Sequence, residues 1–434
     1  MAKFSSRRRL LLGAAVAAPV AAAVALRPGE KGGAHDAYFM QLQQALRKAG
    51  LFRPTLVIDR EKLDHNIACL RSHLPANKGY RIVEKSLPSL ELLRYVRKAT
   101  GTDRLMSFHQ PFLNLIGREM PDAQVLVGKP MPVGAAQRFY ERHDPSSGFL
   151  PERQLQWLLD TPERMAQYRE LARARYRDHG ELMRVNLELD IGLHRGGLHG
   201  PQAVVEMLRE LQKEPSMQFS GFMGYEAHAS KMPDFLGGPS EALAEALGTY
   251  ADCVAAAREE LGAAFDENTL TLNAGGSSTY ELYDESAPCN EISMGSGLVK
   301  PTDFDRPTLA DHVPACFIGT PVLKALDRSE IAGLESLTGA FAVWDPNTAR
   351  AFYLYGGYWY ADIVSPPGLQ HNAIWGHSTN QELVNGSRKV ELAVDDFVFL
   401  RPHQSESVFL QFGDIAVYHQ GEIVASWPVF DSAA

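Results

Sequence analysis

Short apolar runs alternate with longer amphipathic segments between about residues 51 and 304, a pattern typical of repeated strand–helix units. Residues 55–58, with the sequence Thr-Leu-Val-Ile, predict a buried strand, and Asp59 is placed to cap the helix that follows. The apolar face of that helix comprises Leu63, Ile67, Leu70 and Leu74. Further strands are predicted at 82–83, 104–108, 124–127, 183–189, 219–224 and 269–272, with intervening helices such as 201–213 and 240–261. An eightfold α/β barrel and an open doubly wound sheet both fit this periodicity.

Beyond about residue 306 the pattern changes to short alternating runs separated by turns. The predicted strands are 351–355, 390–392, 397–400 and 415–418, and the turn signals are Gly356-Gly357, Asn385-Gly386 and Gln420-Gly421. We therefore predict a leader over residues 1–34, an α/β domain over 35–305 and an all-β domain over 306–434.

Composition limits the classes of function. The chain has 434 residues, of which 45% are hydrophobic, so it can bury a large core. Its net charge of -9 argues against a polyanionic partner, and we expect no binding to nucleic acid. The four cysteines are widely spaced and contain no CxxC pair, which predicts neither a zinc cluster nor a disulfide scaffold.

The N-terminus has the features of an export signal. Arg7, Arg8 and Arg9 precede an apolar, alanine-rich run over residues 10–26. The order Ser-Arg-Arg-Arg-Leu-Leu-Leu from Ser6 resembles the twin-arginine pattern, whose pathway carries folded proteins. An uncleaved membrane anchor is the alternative. We expect a periplasmic mature protein that has no membrane span once the signal is removed.

Several polar residues follow predicted strands. Lys85 ends the 82–83 strand, where its amine could hold a cofactor as a Schiff base or could simply be a solvated strand end. Arg195 lies in a glycine-rich turn after the 183–189 strand and could bind an anionic oxygen, or could be a surface arginine. Tyr225 and His228 end the 219–224 strand. His228 is a candidate proton acceptor, although a lone histidine is often structural.

Two glycine turns offer backbone amides and hydroxyls of the kind that bind phosphate. One contains Gly276 and Ser277, and the other contains Gly295 and Ser296. Glycines of this kind also form ordinary turns, so neither motif is specific alone.

Taken together, these motifs resemble those of fold-type III pyridoxal phosphate enzymes, in the group of D-threonine aldolase and D-serine dehydratase. The resemblance rests on residues 54–59, Lys85, and residues 189–197, 224–228 and 275–280, and it extends over nearly all of the mature chain. It implies a (β/α)8 barrel of the alanine racemase type followed by a C-terminal all-β domain, and it implies a homodimer. It also implies that Lys85 forms the Schiff base, that Arg195 and Tyr225 lie beside the cofactor ring, and that His228 lies near a substrate hydroxyl. The implied phosphate contacts are Gly276, Ser277, Gly295 and Ser296.

The group's metal signature is only half present. Members usually carry a metal-binding histidine followed two positions later by aspartate or cysteine, whereas here His403 is followed by Ser405. Serine is a poor ligand for zinc or manganese. The adjacent Glu406 is expected to point elsewhere. A divalent metal at His403 is therefore left open.

The function predicted from this resemblance is a lyase that acts on small D-configured β-hydroxy amino acids. It would give either glycine and an aldehyde, or an oxo acid and ammonia. A racemase is the alternative and needs two opposed bases, of which only Lys85 can be named. A noncatalytic carrier of pyridoxal phosphate is the third possibility, against which the long β domain argues.

Overall fold

A computed structural model describes residues 27–431 except 329, 331, 332, 334 and 336–341. The predicted export signal therefore lies outside the described residues. The helices are α1 Ala37–Lys48, α2 Arg60–His73, α3 Leu90–Thr100, α4 Gln110–Glu119, α5 Val133–Arg142, α6 Pro151–Gln154, α7 Pro162–His179, α8 Gly200–Gln212, α9 Gly238–Leu261 and α10 Ser405–Val408. The first nine strands are β1 Thr55–Asp59, β2 Gly79–Val83, β3 Arg104–Ser107, β4 Gln124–Val127, β5 Leu155–Leu159, β6 Met183–Leu189, β7 Met217–Gly224, β8 Thr271–Ala274 and β9 Glu291–Met294. The remaining strands are β10 Cys316–Leu326, β11 Arg350–Tyr355, β12 Ala361–Ser365, β13 Gln370–His371, β14 Gln381–Gly386, β15 Phe397–Pro402, β16 Asp414–His419 and β17 Glu422–Pro428.

Strands β2 to β9 form a closed parallel barrel, in which β2 pairs with both β3 and β9. The helices between them follow from local sequence. For example, the Asp59 carboxylate accepts a hydrogen bond from the backbone N–H of Lys62 at the start of α2. Helix α3 ends at Gly101, which adopts the left-handed conformation with φ 73°. The predicted eightfold barrel is confirmed.

The barrel interior contains a buried ion pair. Nε of Arg81 on β2 donates to Oε1 of Glu291 on β9 at 2.5 Å, and both side chains are 2% exposed. Arg81 also donates to the carbonyl oxygens of Leu105 and Gln124, and Asn273 donates to Glu291. The ion pair and its hydrogen bonds therefore link five barrel strands.

The other sheet has nine strands and contains β1 together with β10 to β17. Its antiparallel pairs include β10 with β11 and with β15, and β14 with β11 and with β13. Residues 390–392 are not a strand, so that prediction is wrong, and Asn385-Gly386 ends β14 instead of forming a turn. Gln420 and Gly421 do form the turn between β16 and β17, with φ 49° and 83°.

Two compact units divide the described chain differently from the predicted boundaries at 35–305 and 306–434. One unit contains residues 27–57, 317–402 and 418–424, and the other contains 58–316, 403–417 and 425–431. Most of β1 falls in the unit that holds β11 to β15. The sequence could not predict this, because a short apolar run does not reveal which sheet a strand will join. None of the described helices is both long enough and apolar enough to cross a membrane.

Candidate active site

A cavity of about 580 Å³ lies at the C-terminal ends of the barrel strands. Every barrel strand is followed by a residue that lines it: Lys85, Phe108, Gly128, Asp160, Arg195, Tyr225, Gly275 and Gly295. This is the end at which barrel enzymes bind their ligands. A second cavity, of about 570 Å³, lies at the N-terminal ends of the barrel strands and is lined by Arg81, Arg104 and Glu291. Residues at this end of a barrel typically contribute to stability and not to catalysis.

Lys85 lies in the short turn Glu84–Ser86 that directly follows β2. Its Nζ is 3.0 Å from Oε2 of Glu406 and 4.6 Å from the ring centroid of Phe108. Glu406 therefore points to Lys85, and among the described residues it joins no group with His403 that could hold a metal. Residues 403–417 belong to the barrel unit, and helix α10 presents the Glu406 carboxylate to the cavity.

Glu84 is fully buried beside Lys85. Its Oε1 accepts hydrogen bonds from the Ser107 hydroxyl at 2.9 Å and from the Phe108 backbone N–H at 3.3 Å. Its Oε2 has no hydrogen-bond partner among the described residues. Burial raises the pKa of Glu84 to about 7, because the charged form loses its hydration. The turn that carries Lys85 therefore also holds a carboxyl group that titrates near neutrality.

Arg195 and Tyr225 meet on another side of the cavity. The guanidinium carbon of Arg195 is 5.3 Å from the Tyr225 ring centroid. The turn before Arg195 is held by Asp190, whose Oδ1 accepts from the backbone N–H groups of Gly192 and His194. Burial raises the pKa of Tyr225 to about 12, so its hydroxyl stays protonated at neutral pH.

The two glycine turns meet, although they come from different strands. The Ser277 hydroxyl accepts from the backbone N–H of Gly295 at 3.4 Å, and the Ser296 hydroxyl donates to Ser86 at 2.9 Å. A Cβ on Gly276 would come within 2.7 Å of the Tyr225 ring, and one on Gly295 within 2.7 Å of the Val83 carbonyl oxygen. Only glycine fits these close approaches. The four residues predicted to contact phosphate, Gly276, Ser277, Gly295 and Ser296, all line the cavity.

His228 is placed differently from these residues. It is not among the described residues that line the cavity. Its Nε2 lies 3.0 Å from where a Cβ on Gly192 would be, and its buried Nδ1 has no described hydrogen-bond partner. Burial lowers the pKa of His228, which favours the neutral imidazole. Its predicted role in catalysis stays a prediction.

His403 and Ser405 also lie outside the described cavity lining. Nδ1 of His403 is 2.8 Å from the Thr302 hydroxyl and 3.6 Å from Oδ1 of Asp303. Ser405 is fully buried. Within the described part of the chain, His403 belongs to no group of three side chains able to hold a metal. A divalent metal at His403, which the sequence left open, is therefore not established.

The residues that line the cavity fit pyridoxal phosphate. The Lys85 amine could bind the aldehyde of the cofactor, and the turns at Gly276 and Gly295 could hold its phosphate. Arg195 and the protonated Tyr225 could bind polar atoms of the ring. The cavity volume is also in the range of cofactor sites. The sequence analysis missed Glu406 as a residue that lines the cavity and Glu84 as the buried carboxyl group next to Lys85. The sequence signal that could have identified Glu84 is its position directly between the apolar residues 82–83 and Lys85.

The family model for the N-terminal domain of alanine racemase matches residues 58–303. A search of curated proteins finds no match.

The fold is similar to several solved structures at low sequence identity. D-threonine aldolase from Filomicrobium marinum matches with a TM-score of 0.66 and 15% identity, over 86% of this chain and 94% of that one. Alanine racemase from Bacillus anthracis matches with a TM-score of 0.65 and 12% identity, over 87% and 97%. D-threo-3-hydroxyaspartate dehydratase from Delftia sp. HT23 matches with a TM-score of 0.62 and 16% identity, over 87% and 97%. The family match covers more than half of the chain, which therefore belongs to the alanine racemase N-terminal domain family of fold-type III, pyridoxal phosphate-dependent enzymes.

Proposed function

We propose that this enzyme is a lyase that acts on D-configured β-hydroxy amino acids. It would either cleave them to glycine and an aldehyde or convert them to an oxo acid and ammonia. The structural similarity to a D-threonine aldolase and to a D-threo-3-hydroxyaspartate dehydratase, over 86% or more of this chain, is compatible with this proposal. Alanine racemases are similar to the same extent, so the choice depends on the site.

The observation that carries the proposal is the pairing of Lys85 with Glu406. Their nitrogen and oxygen atoms are 3.0 Å apart, so the two groups approach a bound substrate from the same side. A racemase needs a second base on the face of Cα opposite Lys85, and Glu406, adjacent to Lys85, is not placed to be that base. A lyase needs proton donors and acceptors near Cα and the β-hydroxyl, and an adjacent amine and carboxylate suit this requirement.

Pyridoxal phosphate, when bound at Lys85, supplies a conjugated ring that takes up the electron pair left at the substrate's Cα. In aldol cleavage the Glu406 carboxylate would accept the β-hydroxyl proton. In dehydration the Lys85 amine would remove the Cα proton, and protonated Glu406 would donate to the departing hydroxyl. Arg195 and Tyr225 would orient the reacting groups through charge and a retained hydroxyl proton. In this proposal Glu406 would take the proton-transfer role that the sequence predicted for His228.

Product analysis tests this proposal directly. The purified enzyme, loaded with pyridoxal phosphate, would be incubated with D-threonine or D-serine, with and without a chelator. Glycine, oxo acid, ammonia and inversion at Cα would be measured. We expect glycine or oxo acid from the D-enantiomers. The chelator arm reports whether any metal, at His403 or elsewhere, takes part.

Variants distinguish Glu406 from His228 as the residue that accepts the proton. We expect Glu406→Gln to lower kcat by about 100-fold or more, the scale typical of a lost general base, while the absorbance band of the bound cofactor is kept. Lys85→Ala should lose that band. If His228→Gln lowers kcat by about 100-fold and Glu406→Gln leaves kcat unchanged, the assignment of Glu406 as the proton acceptor is wrong. Inversion without glycine or oxo acid would identify a racemase, and an intact band without turnover would identify a carrier.

We also propose that the chain is exported to the periplasm through the twin-arginine pathway. The support is the Arg7-Arg8 pair that precedes the apolar run over residues 10–26. In a bacterium with this pathway, Arg7→Lys/Arg8→Lys should retain the protein in the cytoplasm. Arg9→Lys is the matched control and should still be exported. Equal export of both variants would contradict the proposal.

A further inference from the structure

Three potential metal ligands meet in the unit that contains β11 to β15. They are His371 on β13, His377 in the following loop and Glu382 on β14, and their ligand atoms all lie within 4.8 Å of one another. None of the three lines the cavity that contains Lys85.

Glu382 is the centre of this group. Its Oε1 is 2.7 Å from Nδ1 of His377 and 3.0 Å from Nδ1 of His371. Its Oε2 accepts from the backbone N–H of Ser378 at 2.6 Å. The Glu382 side chain is 1% exposed, whereas those of His371 and His377 are 35% and 44% exposed. One side of the cluster is therefore anchored in the protein and the other is reached by water.

Regular structure holds the ligands in place before any ion binds. Glu382 lies in register opposite Leu354 of β11, and His371 lies opposite Val384. The Tyr358 ring is stacked on the His377 ring at a centroid distance of 5.0 Å. Gly357 adopts φ 144° and approaches so closely that a Cβ there would come within 2.2 Å of the Glu382 Cβ. Preorganisation of this kind lowers the cost of assembling a metal site.

We propose that His371, His377 and Glu382 bind a divalent transition metal ion of the Zn²⁺ class. Two imidazole nitrogens and one carboxylate oxygen are ligands that zinc prefers, and imidazoles argue against Ca²⁺ or Mg²⁺. The ion would replace the direct contacts between the two Nδ1 atoms and Oε1 of Glu382. Three protein ligands leave a fourth position for water on the exposed side.

A second group, His73, Glu281 and Asp311, also brings three such side chains together. Its His73 and Asp311 are both exposed, and Nε2 of His73 is 2.7 Å from Oδ2 of Asp311. None of its three potential ligands is as deeply buried as Glu382, and only one of them is a histidine. It therefore serves as the internal control for the first group.

The test is metal titration of the full chain, expressed without a histidine tag and first treated with a chelator. Zn²⁺ binding would be followed by calorimetry, and Co²⁺ binding by visible absorption, which reports the coordination geometry. We expect one equivalent of tight binding. His377→Ala and His371→Ala should each weaken it by at least about 100-fold, because direct ligands matter at least as much as the groups that orient them.

Circular dichroism would establish that each variant is folded, and His73→Ala should bind Zn²⁺ as tightly as the unaltered chain. The inference is overturned if the folded His371 and His377 variants keep the same affinity. It is also overturned if His73→Ala abolishes binding, or if no Zn²⁺ binds to the unaltered chain. In the last case the three residues form only a hydrogen-bonded cluster.

Discussion

Glu84 and Lys85 are neighbours in sequence but have opposite environments. Glu84 is fully buried, whereas the Lys85 side chain is 36% exposed and paired with Glu406. The pattern of apolar residues before Lys85 predicted a strand end, and that is where the amine lies. It could not predict that the adjacent carboxyl group would be buried, because burial depends on packing against Ser107 and Phe108 from the next strand.

The raised pKa of Glu84 predicts a pH-dependent contribution to stability. Its pKa is about 7 in the folded protein and 4.5 as the ordinary value, so the folded state holds its proton more tightly than the unfolded state. This contribution is complete below pH 4.5 and is lost as the pH rises through 7. Its upper limit is about 3 kcal/mol. Glu84→Gln keeps the acceptor oxygen but cannot ionise.

Urea unfolding of both proteins at pH 5 and pH 8 measures this effect. The free energy of unfolding of Glu84→Gln, measured relative to the unaltered protein, should be higher at pH 8 than at pH 5 by roughly 2–3 kcal/mol. The exposed Glu259→Gln should show no such rise. The same relative stability of Glu84→Gln at both pH values would contradict the buried, protonated carboxyl group.

At the scale of elements, strand ends were easier to predict than complete strands. Strands β5 and β9 were not predicted, although the turn after β9 was noted for its glycines. Strand β9 begins with a charged residue, Glu291, whose buried partner Arg81 comes from β2. A charged residue within a buried strand breaks the apolar pattern, and only the barrel closure brings its partner to it.

The pair Arg81–Glu291 allows a test of this element-scale contact. Glu291→Ala leaves a buried guanidinium without its main partner, and we expect the free energy of unfolding to fall by about 3–5 kcal/mol. The double variant Arg81→Met/Glu291→Met removes both charges and should be less destabilised. Urea unfolding measures both values. A double variant as unstable as Glu291→Ala would mean that the charge itself is not the cause.

At the scale of the whole molecule, we predict a homodimer on the basis of the fold-type III resemblance. The unit that contains β11 to β15 also exposes large apolar side chains near residue 358 and near residues 374–375. These two segments contact each other where the Tyr358 ring stacks on the His377 ring. Tyr358, Ile374 and Trp375 are 64%, 60% and 53% exposed. Aromatic side chains are enriched in protein interfaces, so these residues are candidates for the dimer contact.

Sedimentation equilibrium tests this prediction. The unaltered chain should have twice the monomer mass, and Trp375→Glu should shift the equilibrium towards monomer, because a charge is disfavoured in the core of an interface. Val424→Glu, at an exposed position of β17, is the matched control and should leave the mass unchanged. A monomeric unaltered chain would contradict the prediction.

The sequence by itself determined the class of fold and most of the candidate residues that line the cavity at the C-terminal ends of the barrel strands. Parallel strands of a barrel bring their C-terminal ends to one place. Polar motifs after successive strands therefore had to meet, as Lys85, Arg195, Tyr225, Gly276 and Gly295 do. Only the tertiary structure decided which residues from outside this repeat join them. It brought Glu406 to Lys85, kept His228 and His403 out of the described cavity lining, and placed β1 in the nine-stranded sheet. These outcomes depend on contacts between segments far apart in the chain, and local periodicity carries no record of such contacts.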